Sequence, residues 1–317
     1  MGGIVESAGR ERWSLILAGG EGARLRPLTR RIAGDERPKQ FCHVLGDETL
    51  LNQTRRRSAL LIPPDRTLVM LTRAHEPFYA PFMADLPPQR AVVQPENRGT
   101  APAILYGLLR ISAVGPTDAV AVVPSDHYVS DDPAFMGHVG AAFHAVRGRP
   151  ELVILLGITA EGPEVEYGWI EPAEPIPAVG PGIVYRVGRF WEKPSPARAR
   201  MLLARGCLWN SFVMVARVPA FLALIRRTIP RLYYPFTVAS PAIDTLLEGE
   251  AMRTLYSQIP STNFSREVLA ARPANLAVLP VSGVGWSDLG NPRRVLATLA
   301  RTRFHPHWAQ PTAATPA

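Results

Sequence analysis

Short apolar runs recur through the first half of the chain, each followed by a stretch with helical spacing. Residues 13–18, 67–71, 91–93, 119–123 and 152–156 read as buried strands, rich in Val, Leu and Ile. Between them, 49–61, 100–113 and 132–147 place apolar side chains every three to four positions and read as helices. The second half is more mixed: strands over 183–190, 212–216 and 276–281, and helices over 196–204, 219–228 and 292–303. Apolar strands separated by helices predict a three-layer α/β/α domain around a mixed, mainly parallel sheet. No internal repeat or linker divides the pattern, so residues 12–303 read as one domain. The Pro-, Ala- and Thr-rich stretch 304–317 is expected to be a disordered tail.

Composition narrows the partners. Of 317 residues, 47% are hydrophobic and 20% charged, an ordinary globular balance. No apolar run is long enough to span a bilayer, and residues 1–12 lack the apolar core of a secretion signal, so no membrane association and a cytoplasmic location are expected. Cys42 and Cys207 are the only cysteines; they supply neither a disulfide framework nor metal-ligand spacing and read as small buried hydrophobes. The net charge of +8 suits nucleic acid, an anionic surface or phosphorylated small molecules. The arginines are spread along the chain, and the run Arg55-Arg56-Arg57 reads as a solvated helix face. Zinc-finger spacing and aromatic-basic interleaving are both missing, so nucleic acid is not expected and small polyanions are the simplest partner.

Two lysines stand out because all the other basic side chains except histidine are arginine. Lys39 lies in Pro38-Lys39-Gln40-Phe41 and Lys193 in Glu192-Lys193-Pro194. Lysine is a compact, mobile point charge that fits between phosphate oxygens, whereas arginine is a flat fork. The first strand runs directly into Leu17-Ala18-Gly19-Gly20-Glu21-Gly22-Ala23-Arg24-Leu25-Arg26-Pro27-Leu28-Thr29. Glycines there let backbone N–H groups approach phosphates, and Arg24 and Arg26 add positive charge. A Walker loop would need Gly-Lys-Ser/Thr at its end, and a dinucleotide fingerprint a glycine where Leu25 stands; both fail.

The glycine loop together with Pro38-Lys39 resembles the signature of sugar-1-phosphate nucleotidyltransferases, Gly-Gly-x-Gly-Thr-Arg-Leu-x-Pro-Leu-Thr/Ser followed by Pro-Lys. Ala23 departs from it by removing a hydroxyl near the phosphates. The segment Gln94-Pro95-Glu96-Asn97-Arg98-Gly99-Thr100-Ala101-Pro102-Ala103 is similar to the base-reading segment of mannose-1-phosphate guanylyltransferases, with Gly99 in place of asparagine. A helix cap by Thr100 is an alternative compatible with that role.

The resemblance implies a Rossmann-like nucleotidyltransferase fold, with a nucleotide-binding part at about 12–150 and a sugar-phosphate part at about 151–303. It implies that Leu17, Ala18, Gly19, Gly20, Gly22, Arg24, Lys39, Gln94, Arg98, Gly99 and Thr100 line the nucleotide. Val123-Pro124-Ser125-Asp126-His127 closes the fourth strand, where a carboxylate is well placed to hold Mg²⁺. In the family that aspartate is a metal ligand; a turn or capping aspartate is an equal alternative for Asp126, and His127 reads as structural. Gly285-Trp286-Ser287-Asp288-Leu289-Gly290 resembles the Trp-x-Asp-x-Gly element and implies Asp288 as the second ligand. Tyr167-Gly168-Trp169-Ile170, Glu192-Lys193-Pro194 and Trp209-Asn210-Ser211 resemble the family's sugar segments and imply sugar-phosphate contacts by Gly168, Glu192, Lys193 and Asn210. The alternatives are a surface ion pair for Glu192 and Lys193 and a turn for Asn210. Asn263 stands where guanylyltransferases often carry aspartate.

Together these imply synthesis of GDP-mannose and pyrophosphate from GTP and mannose 1-phosphate, with Mg²⁺ and with Arg24, Lys39 and Lys193 as the catalytic cations. The same chemistry with another base or hexose, or a non-catalytic sugar-nucleotide sensor, are the alternatives. A glycosyltransferase with an Asp-x-Asp metal motif fits less well, because Tyr128 stands where the second acid belongs. With little chain after the Trp-Ser-Asp element, a monofunctional enzyme is expected, and a homodimer is left open.

Overall fold

The computed structural model describes residues 11–84, 86–177, 182–302, 304 and 306–309. The sheet has nine strands in the order β3-β2-β1-β4-β8-β5-β9-β7-β6. These are β1 (Arg12–Leu17), β2 (Thr67–Thr72), β3 (Ala91–Gln94), β4 (Ala119–Pro124), β5 (Val153–Thr159), β6 (Gly168–Ile176), β7 (Val184–Glu192), β8 (Leu208–Arg217) and β9 (Leu276–Val281). β1 pairs in parallel with β2 and β4, β2 with β3, and β5 with β9. Only β8 and β7 run against the rest, so the sheet is mixed and mainly parallel, as expected. β6 also pairs with β8 through Trp169 and Trp209, so β8, β5, β9, β7 and β6 close a ring of pairings.

Helices cover both faces because strand side chains alternate between them. Val120 and Val122 face a core shared with the helix Thr100–Val114 (Ile104, Leu108, Ile111) and with Phe221, Leu224 and Phe236. Ala119, Ala121 and Val123 face the helix Asp132–Gly148 through Phe135, Val139 and Phe143. Asp131 caps that helix, its carboxylate accepting from the Ala134 N–H at 2.8 Å. Likewise Thr49 caps the helix Leu50–Ala59 from outside it.

Several boundaries shift. β8 begins at Leu208, so Asn210 lies within a strand rather than in a turn before one. β6 carries Pro172 and Pro175, residues that weaken a strand reading, and its pairing with β7 slips at both. The stretch expected to be a disordered tail is partly packed. Phe304 sits against Gly46, and Trp308 packs on the cluster of Leu25, Val44, Leu45 and Leu289, because apolar rings here find an apolar surface. Residues 310–317, and the N-terminal 1–10, lie outside the described residues. Both cysteines are buried, and burial raises the Cys42 thiol to about 11. Among the described residues no helix is long and apolar enough to cross a membrane.

Candidate active site

The carboxyl ends of β1, β2, β3 and β4 open on one edge of the sheet, the edge where open α/β sheets hold ligands. The glycine loop leaves β1 there. Its first residues are tied into the sheet: the Ala18 N–H donates to the Met70 carbonyl at 2.8 Å, and the Ser125 N–H to the Leu17 carbonyl at 3.2 Å. Gly19 is fixed by contact, since a Cβ there would lie 2.7 Å from the Thr72 hydroxyl and 2.9 Å from Gln94 Nε2. Gln94 is itself buried, donating to the Leu71 carbonyl at 3.2 Å and accepting from the Tyr256 hydroxyl at 3.0 Å. It thus supports the loop from beneath.

The Pro-Lys segment braces the same loop. Gln40 Nε2 donates to the carbonyls of Ala18 at 3.0 Å and Gly20 at 2.8 Å. Gly22 stands at φ +60°, where a Cβ would lie 3.2 Å from the Lys39 backbone nitrogen. Lys39 is 7% exposed, so its ammonium requires fixed partners. Its Nζ lies 3.2 Å from Asp126 Oδ2, donates to the Asp288 carbonyl and reaches the Leu289 carbonyl at 3.3 Å. A single ammonium therefore joins the glycine-loop side, the first acid and the backbone of the second. The 22–25 turn, Lys39, Asp126 and Gly290 line a cleft of about 280 Å³.

The Asp288 carboxylate is held by neighbours from three segments. It accepts from the Gly290 N–H at 2.8 Å, the Tyr167 hydroxyl at 3.2 Å, and Arg294 Nη1 at 2.9 and 3.0 Å. Burial pushes its pKa up, but His127, Lys39, Arg294 and the Gly290 N–H outweigh that, and the net shift is downward. His127 packs edge-on against Trp286 at 5.2 Å, and burial lowers its pKa against the pull of Asp126. Arg294 also pairs with Glu164, and with Glu166 at 2.8 Å. Arg24 pairs with the other oxygen of Glu166 at 2.9 Å.

A second group forms on the ring of strands. Gly168 faces Glu192 and Asn210: a Cβ on it would lie 3.2 Å from Glu192 Oε2 and 3.3 Å from the Asn210 Cβ. Burial raises the Glu192 pKa, opposed by Lys193 and Arg266. Asn210 Oδ1 accepts from the Phe212 N–H at 3.1 Å, holding Phe212 at φ +58°. Tyr167 links this group to the first. Its carbonyl accepts from the Lys193 N–H at 3.2 Å while its hydroxyl reaches Asp288.

The base-segment residues are less converged. Arg98 pairs with Glu96 at 3.0 Å. Thr100 caps nothing: it is the first helical residue, and its hydroxyl accepts from the Phe264 N–H at 2.9 Å. Gly99 precedes it at φ +86°, where a Cβ would fall 2.6 Å from the Thr262 carbonyl, so asparagine does not fit this backbone. Asn263 has a local task, its Oδ1 accepting from the Arg266 N–H at 2.9 Å. Arg294 escaped the motif reading, because one arginine among many on a helix carries no signal. Tyr167 was visible only as part of its motif.

The Rossmann-like sheet thus gathers a glycine loop, a buried lysine and two aspartates at its carboxyl edge. A family model for nucleotidyl transferases matches residues 13–302, and the chain belongs to that family. It is 31% identical over 283 residues to the alginate biosynthesis protein AlgA of Pseudomonas aeruginosa, covering 87% of this chain and 56% of that one. The xanthan biosynthesis protein XanB of Xanthomonas campestris is 32% identical over 286 residues, covering 87% of this chain and 57% of that one. Mannose-1-phosphate guanylyltransferase ManC of Salmonella typhimurium is 28% identical over 287 residues, with 88% and 58% covered. The chain thus spans little more than half the length of these relatives. Among solved structures, a mannose-1-phosphate geranyltransferase from Thermus thermophilus superposes with a TM-score of 0.75 at 30% identity, covering 90% of this chain and 79% of that one.

Proposed function

We propose that the chain makes GDP-mannose and pyrophosphate from GTP and mannose 1-phosphate. An oxygen of the sugar phosphate forms the new bond to the α-phosphorus, and the bond from that phosphorus to pyrophosphate breaks. The attacking phosphate is already ionised, so no protein nucleophile or general base is required. The work is to bring two polyanions into line and neutralise their repulsion. One observation carries the reading: the Lys39 ammonium sits within reach of Asp126 and of the 288–289 backbone beside the glycine loop.

In this reading Arg24 and Lys39 hold the triphosphate and leaving group. Lys193 meets the attacking phosphate, and Gly168, Glu192 and Asn210 shape the sugar subsite. Leu17, Ala18, Gly19, Gly20 and Gly22 form the backbone cradle; Gln94, Arg98, Gly99 and Thr100 border the base. Nucleotidyltransferases of this family generally use a divalent metal, and Asp126 and Asp288 are the residues that would hold Mg²⁺. The donor chemistry is of the kind Mg²⁺ takes, one or two carboxylates completed by phosphate oxygens and water. The ion would supply charge neutralisation at the phosphates.

The choice of mannose and guanine rests on the 94–103 segment and on the activity for which the relative ManC is named. Pyrophosphate release across a panel of nucleoside triphosphates and hexose 1-phosphates tests it. GTP with mannose 1-phosphate is expected to give the highest kcat/KM. A higher value for another pair would move the specificity within the same chemistry, and no release from any pair would overturn the reading.

A further inference from the structure

Arg24 lines the 280 Å³ cleft, yet its guanidinium is paired with a carboxylate. That carboxylate, Glu166, is itself held in place: its other oxygen accepts from Asn291 Nδ2 at 2.8 Å and pairs with Arg294 Nη2 at 2.8 Å. Asn291 and Arg294 belong to the closing helix and its cap, since Asn291 Oδ1 also accepts from the Arg294 N–H at 3.0 Å. Glu166 is therefore a fixed anion anchored from one side and presented to Arg24 from the other. A carboxylate and a phosphate each offer a guanidinium a pair of anionic oxygens that can accept two parallel bonds, so they compete for it. Arg24 is 54% exposed and Glu166 35%, which leaves the pair weak enough to exchange.

We propose that Glu166 is an internal competitor for the triphosphate, a positioning residue that sets nucleotide affinity by occupying Arg24. Triphosphate binding exchanges the Glu166 carboxylate for phosphate oxygens on the same guanidinium. The released carboxylate keeps its contacts with Arg294 and Asn291, but Arg294 also serves Glu164 and Asp288, so the exchange costs Glu166 part of its charge compensation and the triphosphate must outcompete it. The nearby Asp288 keeps its own bonds from Tyr167 and Gly290 throughout. This deepens the proposed function and rests on its assignment of Arg24 to the triphosphate.

The test measures GTP affinity by calorimetry with chelator present and no divalent ion, so that neither turnover nor metal loading enters. Glu166→Gln keeps the shape and the Asn291 contact while removing the charge. The expected result is a Kd about two- to fivefold lower than that of the unaltered protein, the range of a half-exposed ion pair, and a gain that shrinks in high salt. In Arg24→Ala the Kd rises, and adding Glu166→Gln to it restores nothing. A Kd that is unchanged or raised in Glu166→Gln, while Arg24→Ala still weakens binding, overturns the competitor role and makes Glu166 an orienting partner. If Arg24→Ala leaves the Kd unaltered, it is the placement of Arg24 on the triphosphate that fails, and the competitor role fails with it. Thermal melts of both variants confirm that the folded protein is being titrated.

Discussion

The two sides of the cleft are built differently. On the glycine-loop side, all the segments but Pro38-Lys39 end or closely follow a parallel strand: the loop after β1, Thr72 closing β2, Gln94 closing β3 and Asp126 after β4. Parallel strands bring their carboxyl ends to one edge, so order along the chain translates into proximity. On the other side, Gly168, Glu192 and Asn210 come from β6, β7 and β8, whose pairings are antiparallel and close through β9 and β5 into a ring. Proximity there depends on register, which sets Gly168 opposite Glu192 and Trp169 opposite Trp209 and which no local pattern reports. Tyr167 and Lys39 are the ties between the sides, one reaching Asp288 by its hydroxyl, the other by its ammonium.

The largest effect expected from breaking this arrangement is at Lys39. Lys39→Arg keeps the charge in a bulkier, flatter group that cannot occupy a 7% exposed slot between Asp126 and the 288–289 carbonyls. Turnover is expected to fall about 100-fold, the cost of losing one well-placed electrostatic contact. Single-turnover pyrophosphate release measures it, and near-normal rates in the folded variant would remove Lys39 from the chemistry.

Two glycine substitutions then separate the sides by rigidity. Gly99→Ala places a Cβ against the Thr262 backbone at φ +86°, a contact that cannot yield, and is expected to cost about 1–3 kcal/mol in urea melts. Gly168→Ala meets the Phe190 ring at 3.0 Å, the Glu192 carboxylate at 3.2 Å and the Asn210 Cβ at 3.3 Å, side-chain atoms rather than backbone and with no positive φ, and is expected to cost less. Equal losses would mean that the ring of strands is as rigid as the base segment.

Much of the first side was legible in sequence. Strand, glycine loop and Pro-Lys are each short contiguous motifs, while the bracing of the loop by Gln40, 20 and 22 residues along the chain from its partners, carries no sequence signal. The second side was legible only by motif. β6 carries no strand signal because its prolines contradict a strand pattern, and the turn offered as the alternative for Asn210 gives way to β8, which starts at Leu208, ahead of the apolar run expected over 212–216. Gly99 and Asn263 depart from the family pattern. The structure gives each a local reason, a positive φ against Thr262 and an accepted hydrogen bond from Arg266. Arg294 had no signal, since its importance comes from Asp288, Glu164 and Glu166 meeting it from distant segments.

The proposed function requires that the sugar phosphate keep all its oxygens as it bonds to the α-phosphorus of the nucleotide and pyrophosphate leaves. Reaction of GTP with mannose 1-phosphate carrying heavy oxygen in its phosphate, followed by phosphorus NMR, reads where those oxygens go. All of the label is expected in GDP-mannose and none in pyrophosphate. Label in pyrophosphate, or no GDP-mannose from folded, metal-supplied protein, would contradict it.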